Sequence, residues 1–258
     1  MDLREGKGMP NIRFDVVESG VGLITINRPE KRNALNDETV LSLIEVLESD
    51  DVADLGAVVL VGQGTTFCAG VDLSEIGTAK SRSAKPQGSR LFAAFRECGP
   101  VIIGAVQRHA LGLGCGVAMA CDLVVAADDA QFGYPAVAHG LVNGVTLVGL
   151  KEVVGARKAM ELLVTGRRVL ADEALAIGMV NEVVPGTELR TRAMEIARTV
   201  AGHRTLAVQT TKQFFYEASD LSYAAATRAG ERVVQLVRKA NDPELRVATA
   251  PYGQVSAQ

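Results

Sequence analysis

Apolar and polar residues alternate along this chain with two different periods. Ile12 to Glu18 and Val21 to Ile26 are two extended apolar stretches joined by Ser19-Gly20, which predicts a hairpin. Val40, Leu41, Leu43, Ile44 and Leu47 then share one helical face, and Asn36-Asp37-Glu38 supplies the polar start of that helix. Leu55 to Val61 reads as a buried strand closed by Gly62-Gln63-Gly64. Val101 to Val106 and Leu123 to Ala127 are two more, with a Gly-rich turn and a helix around Gly114 to Ala120 between them. Residues 74 to 90, with Gly77 and several Ser and Lys, predict a mobile surface loop. From Val145 onward the period is mostly helical, as in Leu189, Ala193, Ile196, Ala197 and Val200.

Strands alternating with helices imply an α/β fold of crossover units, with helices packed on sheets. The composition shift near Gly202 divides the chain into a core, residues 1–202, and a helical region, residues 203–258, suited to subunit contact. At 258 residues, 48% hydrophobic and 22% charged, the chain has ample length for a core and is neither disordered nor fibrous. Its 27 Lys and Arg against 30 Asp and Glu leave a net charge of −3, which argues against nucleic acid or an anionic membrane as partner. Cys68, Cys98, Cys115 and Cys121 form no CxxC pair, and no His stands at metal-ligand spacing. They read as reduced thiols, with no metal site. The first residues lack the apolar core of a signal peptide, and the longest apolar run, Gly114 to Ala127, is cut by Asp122. The expectation is a soluble cytoplasmic protein without membrane insertion.

Glycine is abundant, 26 residues, while aromatics are only 4% and Trp is absent. Two Gly-rich segments follow strands: residues 67–73 (FCAGVDL) and residues 110–116 (ALGLGCG). Small residues there let a ligand approach main-chain N–H groups, and two such clusters would form an anion or oxyanion site. Spacing alone equally allows two ordinary tight turns, and neither segment matches a phosphate loop or a dinucleotide fingerprint.

Together with their surroundings, these segments resemble the crotonase, or enoyl-CoA hydratase/isomerase, superfamily. The likeness begins at residues 24–36 (ITINRPEKRNALN), runs through FCAGVDL and residues 110–126 (ALGLGCGVAMACDLVVA), and continues in AQFGYP, residues 130–135, and Gly166 to Pro185. The resemblance implies a spiral of ββα units with a C-terminal helical trimerisation region, assembled as a homotrimer or as a hexamer made of two trimers. It implies an acyl-CoA thioester as ligand, with no cofactor beyond the coenzyme A moiety of that substrate. By motif position the backbone N–H groups of Val71 and Leu113 make an oxyanion hole, each worth about 3 kcal/mol to an enolate. The resemblance sets Ala69, Val71 and Leu73 along the adenine and pantetheine, with Lys31, Arg32 and Ala34 near the phosphates or adenine; Gly70, Asp72, Gly116, Pro135 and Ala136 count among the ligand-binding residues too, and Asp72 orients the FCAG turn.

The same resemblance exposes a departure. Hydratases of this family use two glutamates, and their positions hold Gly116 and Ala136, the latter following Pro135. A third acidic position falls at or beside Gly144, after Asn143. Neither Gly nor Ala transfers a proton. His139 and Tyr134 are the candidate proton donors, and Cys115 stands at a helix start, where a thiol pKa falls. Asp122 reads as a capping or hydrogen-bonding residue. Three functions follow: an acyl-CoA lyase or isomerase needing the hole but not the glutamates, a non-catalytic acyl-CoA-binding protein, and a weak hydratase using another carboxylate such as Glu75.

Overall fold

The computed structural model describes residues 11–75 and 87–239. Strands β1 (Ile12–Glu18) and β2 (Val21–Ile26) form the expected antiparallel hairpin, with Gly20 at a positive φ of 74°. From β2 the sheet continues in parallel through β3 (Ala57–Gly62), β4 (Val101–Val106), β6 (Leu123–Ala127) and β9 (Glu182–Val184). A second, three-stranded sheet contains β5 (His109–Leu111), β7 (Gln131–Gly133) and β8 (Arg168–Leu170). The chain steps from the large sheet to the small one and then into a helix, as in β4, β5 and α4 (Leu113–Ala120). These are the ββα turns of the α/β fold.

The period-2 pattern of the central strands is resolved into two cores. Val58, Leu60, Ile102, Val106, Val124 and Ala126 face one side, packed with α1 (Asp37–Leu47), α3 (Gly88–Glu97) and α4. Ala57, Val59, Ile103, Ala105, Val125 and Ala127 face the other, covered by Leu189, Ala193, Met194 and Ala197 of α7 (Leu189–Ala201). Both faces are buried, so these strands read as continuous apolar runs instead of alternating ones. Between β3 and α1 in sequence lies the short α2 (Asp50–Ala53), and α5 (Thr146–Thr165), interrupted at Gly155, and α6 (Ala171–Ala176) follow β7.

One sequence expectation changes. Most of the loop expected over residues 74–90 lies outside the described residues, but from Gly88 the chain is already helical, because Leu91, Ala94 and Phe95 fall on one buried face. Helix α1 starts where expected: Asn36 caps it, its side-chain oxygen accepting from Thr39 N–H at 3.0 Å. The chain divides into two compact units, one ending at Gln209 and one beginning at Thr210. Helix α8 (Thr205–Ser219) follows Gly202, where the sequence places its boundary, and α9 (Tyr223–Lys239) completes the second unit. There Phe215 meets Tyr216 edge to face at 5.4 Å, and a Cβ at Gly230 would lie 3.2 Å from the Phe214 ring. No helix among the described residues is long and apolar enough to cross a membrane.

Candidate active site

The first Gly-rich segment runs as an irregular strand between two neighbours. On one side Cys68 N–H donates to the His109 carbonyl at 2.9 Å and Leu111 N–H to the Cys68 carbonyl at 3.0 Å. On the other, Ala69 N–H donates to the Arg32 carbonyl at 3.0 Å and Leu35 N–H to the Gly70 carbonyl at 2.7 Å. Gly70 has φ +106°, a conformation that favours glycine, and a Cβ there would lie 2.7 Å from the Leu111 carbonyl oxygen. That φ overturns the Gly70–Val71 peptide. Carbonyl and N–H point oppositely across a trans peptide. With the Gly70 carbonyl held by Leu35, the Val71 N–H therefore points to the side of residues 111–113.

The second segment meets it there. Gly112, with φ +51°, precedes α4, and its carbonyl accepts from Gly116 N–H at 3.0 Å. By the same antiparallel rule, the Leu113 N–H leaves the helix start in the opposite direction and has no intrahelical partner. Gly114 is small of necessity, since its Cβ would lie 2.4 Å from the Cys68 carbonyl oxygen. Val71 and Leu113 both line a cavity of about 540 Å³. Two main-chain donors on its wall, one from a helix start, can stabilise negative charge on a ligand oxygen.

A buried network holds this wall in place. The Arg28 side chain donates to the Ala34 carbonyl and, at 3.0 Å, to the Asp72 carboxylate. Asn33, fully buried at φ +55°, accepts from Arg28 N–H at 2.9 Å and donates to the carbonyls of Gln63 at 2.9 Å and Thr66 at 2.6 Å. Asp72 also accepts from the Ser74 hydroxyl at 2.6 Å and from its N–H at 3.1 Å. These Ser74 bonds, then Arg28, hold the Asp72 carboxyl below the usual carboxylate range against the opposing effect of burial. Sequence reading missed Arg28 and Asn33. The available signal was Asn33 beside Arg32 in a turn, because Asn tolerates the left-handed region that both adopt.

Of the residues expected in the site, Arg32, Ala69, Gly70, Val71, Leu73, Leu113, Pro135, Ala136 and His139 line the cavity. Val71 and Leu73 are apolar yet 44% and 59% exposed, as a ligand-facing surface requires. Lys31 is exposed in a short 3-10 helix outside the lining, and Ala34 is buried with its carbonyl on Arg28. Asp72 is consumed by the network rather than turned to the cavity. Gly116 is buried, and a Cβ there would lie 2.9 Å from Thr146 Cγ2 and 3.0 Å from Phe92 Cζ. Arg168 and residues 141–146 also line the cavity, and the sequence had singled out only Asn143 and Gly144 among them.

Tyr134 lies elsewhere. Its ring is fully buried, and its hydroxyl is held against the Cys115 thiol. Burial pushes the Tyr134 phenol well above its ordinary range. Burial likewise pushes Cys115 up to about 11 and Cys68 up to about 12, so the expected lowering of the Cys115 pKa at a helix start is overridden by desolvation. His109 is held below its usual range by burial and then by Arg108, Arg168 and Arg32, so it is neutral at pH 7. Asp122 accepts from Ile102 N–H at 2.7 Å, a structural bond between β4 and the turn before β6. Among the described residues no cluster of three or more His, Cys, Asp or Glu could hold a metal ion.

Known proteins resemble this chain along most of its length. The family model described as enoyl-CoA hydratase/isomerase matches residues 17–243. A short-chain-enoyl-CoA hydratase of Clostridium acetobutylicum is 38% identical over 202 residues, 76% of this chain and 77% of that protein. The crystal structure of an enoyl-CoA hydratase from Mycobacterium smegmatis superposes with a TM-score of 0.84 at 28% identity, over 93% of this chain and 95% of that one. An enoyl-CoA hydratase from Bacillus anthracis does so with a TM-score of 0.83 at 27% identity, over 90% and 92%. With both Gly-rich segments and the sheet that carries them inside the matched region, the chain belongs to the enoyl-CoA hydratase/isomerase family.

Proposed function

We propose that the chain binds an acyl-CoA thioester with its carbonyl oxygen between the N–H groups of Val71 and Leu113, and stabilises the enolate formed there without a pair of glutamates. The observation that carries this reading is the overturned peptide at Gly70, which aims Val71 N–H to the side where Leu113 N–H leaves α4. Each such donor contributes about 2.7–4 kcal/mol to a developing oxyanion. The names of the relatives, hydratases of enoyl-CoA, support the ligand class. Arg32 supplies positive charge for the ligand's phosphates, and Leu73 an apolar face for its pantetheine or adenine.

The proton chemistry differs from two-glutamate hydration. The positions that the family resemblance gives to those acids hold Gly116 and Ala136, and Asp37 is the one carboxylate among the described cavity-lining residues. Glu75 is outside that lining, and its carboxylate accepts from Asn36 Nδ2 at 2.8 Å. His139, exposed on the wall beside Ala136, is the proton donor in this reading, and Tyr134 is not. Isomerisation, decarboxylation and thioester cleavage all pass through an enolate or oxyanion that the same hole serves. A non-catalytic acyl-CoA carrier would keep the hole and cavity and lack turnover. Assembly as a trimer, or a pair of trimers, belongs to the proposal and is read by light scattering.

Calorimetric titration with acyl-CoAs, followed by crotonyl-CoA hydration monitored through loss of enoyl absorbance, tests the reading. Binding with little or no hydration is expected, and Gly70→Ala should weaken it at least tenfold by displacing Val71. Robust hydration by the natural chain would overturn the glutamate-free mechanism. Failure to bind any acyl-CoA would overturn the site itself.

A further inference from the structure

Arg13, Thr25, Val61 and Ala105 form one row across β1 to β4, because each is the register partner of the next. The row lies on the sheet face that α7 covers, opposite α1, α3 and α4. Thr25, Val61 and Ala105 are each the penultimate residue of their strands. With Leu189 and Arg190 of the first turn of α7, the row lines a second cavity of about 400 Å³, which shares no lining residue with the first. Carboxyl ends of parallel strands and starts of helices are where α/β sheets receive ligands.

Thr25 points to an occupant. It is a polar residue only 5% exposed, in a row whose next members are Val61 and Ala105. Its hydroxyl has no hydrogen-bond partner among the described residues, and it opens on the cavity instead of being sealed by its neighbours, as that of Thr146 is. It is therefore a donor whose acceptor has to come from the cavity.

The surrounding groups are cationic and held in place. Arg13, directly across from Thr25, donates through Nη2 to Gln63 Oε1 at 2.8 Å. The turn that carries Gln63 is itself anchored: Asn33 Nδ2 donates to the Gln63 carbonyl at 2.9 Å, and Gln107 Nε2 to the Gly62 carbonyl at 2.7 Å. Arg190 has no ion pair among the described residues. No side chain caps α7 at Glu188, so its leading N–H groups have no intrahelical partner. Asp15 is the one carboxylate among the described lining residues, against two guanidinium groups. Donors thus converge from the sheet floor, from β1 and from the helix start. A phosphate group presents three strong acceptor oxygens and can meet all three directions, which a planar carboxylate cannot.

We propose that this cavity is a second ligand site, separate from the acyl-CoA cavity, and that it binds the phosphate group of a small phosphate monoester. The phosphate accepts from the Thr25 hydroxyl, from Arg13 and Arg190, and from the leading N–H groups of α7. The cavity is larger than one phosphate, and the remaining space takes the molecule that carries it. This inference does not depend on the acyl-CoA reading.

Calorimetric titration of the full chain with inorganic phosphate and with glycerol 3-phosphate tests it. One phosphate should bind per chain, with a Kd of about 1 mM or lower. Thr25→Val, which keeps the shape and removes the hydroxyl, and Arg190→Gln, on the surface, should each weaken binding at least fivefold. Thr25→Ser should stay within twofold of the natural chain, and Arg32→Gln, in the other cavity, should leave phosphate binding unchanged. Glycerol 3-phosphate should bind at least threefold more tightly than inorganic phosphate. Equal or weaker binding of the ester would overturn the monoester and leave free phosphate as the ligand. Absence of saturable binding, or binding lost in Arg32→Gln but kept in Thr25→Val and Arg190→Gln, would overturn the site.

Discussion

Replacing Gly116 by alanine sets two opposing effects against each other. In a helix interior, Ala is favoured over Gly by about 0.8–1 kcal/mol. At this position the new methyl would lie 2.9 Å from Thr146 Cγ2, 3.2 Å from Thr146 Cβ and 3.0 Å from Phe92 Cζ. Phe92 presents the tip of a partly buried ring and can shift by a few tenths of an ångström. Thr146 is β-branched, buried and in the first turn of α5, so it cannot. Overpacking by a methyl group costs about 1–3 kcal/mol, which exceeds the helix gain. Gly116→Ala should therefore destabilise the protein by about 1 kcal/mol. In a Thr146→Ala background the opposing methyl is gone, and the same substitution should stabilise by about 0.5 kcal/mol or more. The cycle then yields a coupling of about 1.5 kcal/mol, within the range for residues in contact. Urea denaturation followed by circular dichroism of the four proteins measures it. Stabilisation by Gly116→Ala in both backgrounds would show that Thr146 yields to the added methyl and that no clash exists. The same contact dictates how a hydratase acid would have to be introduced. Gly116→Glu with Ala136→Glu should raise crotonyl-CoA hydration only when Thr146→Ala accompanies them.

Three further outcomes are expected. Asp72→Asn breaks a buried pair with Arg28 and should cost about 3 kcal/mol at pH 7. Because the folded-state pKa of Asp72 is depressed, its stabilisation is complete above the unfolded carboxylate's value and lost as pH falls through the lower folded value. The gap between natural and variant protein should thus narrow only below about pH 4, and an unchanged gap down to pH 2 in urea titrations would contradict this. With Cys68 at about 12 and Cys115 at about 11, both thiols are protonated and buried at pH 7. A thiol reagent should label neither until the chain unfolds, and mass spectrometry showing prompt native labelling of either would reverse that conclusion. Tyr134→Phe removes a buried hydroxyl whose polar neighbour is the Cys115 thiol and should change stability by no more than about 1 kcal/mol, with acyl-CoA turnover unaffected. A loss of turnover of tenfold or more would return Tyr134 to the role of proton donor and take it from His139.

What the sequence determined by itself was local. The strands at Val21–Ile26 and Val101–Val106 and the capped start of α1 at Asn36 are legible because apolar period and side-chain capping act within a few residues. The two Gly-rich segments are legible for the same reason, each being a short stretch of small residues between a strand and the next element. Their joint meaning depends on contacts between distant stretches. Only the fold sets Leu35 against Gly70 and thereby turns Val71 N–H to face the side of Leu113. Only the fold joins Arg28 to Asp72, 44 residues away, and spends that carboxylate on holding the wall. Tyr134 and His139 are near neighbours in sequence with equal claim to donate a proton. The turn of backbone at Pro135 buries one against Cys115 and leaves the other on the cavity. Gly116 marks the boundary most clearly. Its identity shows that no acid stands there, and the packing of Thr146 and Phe92 shows why a larger side chain has no room, a steric fact carried by residues that sequence spacing never brings together.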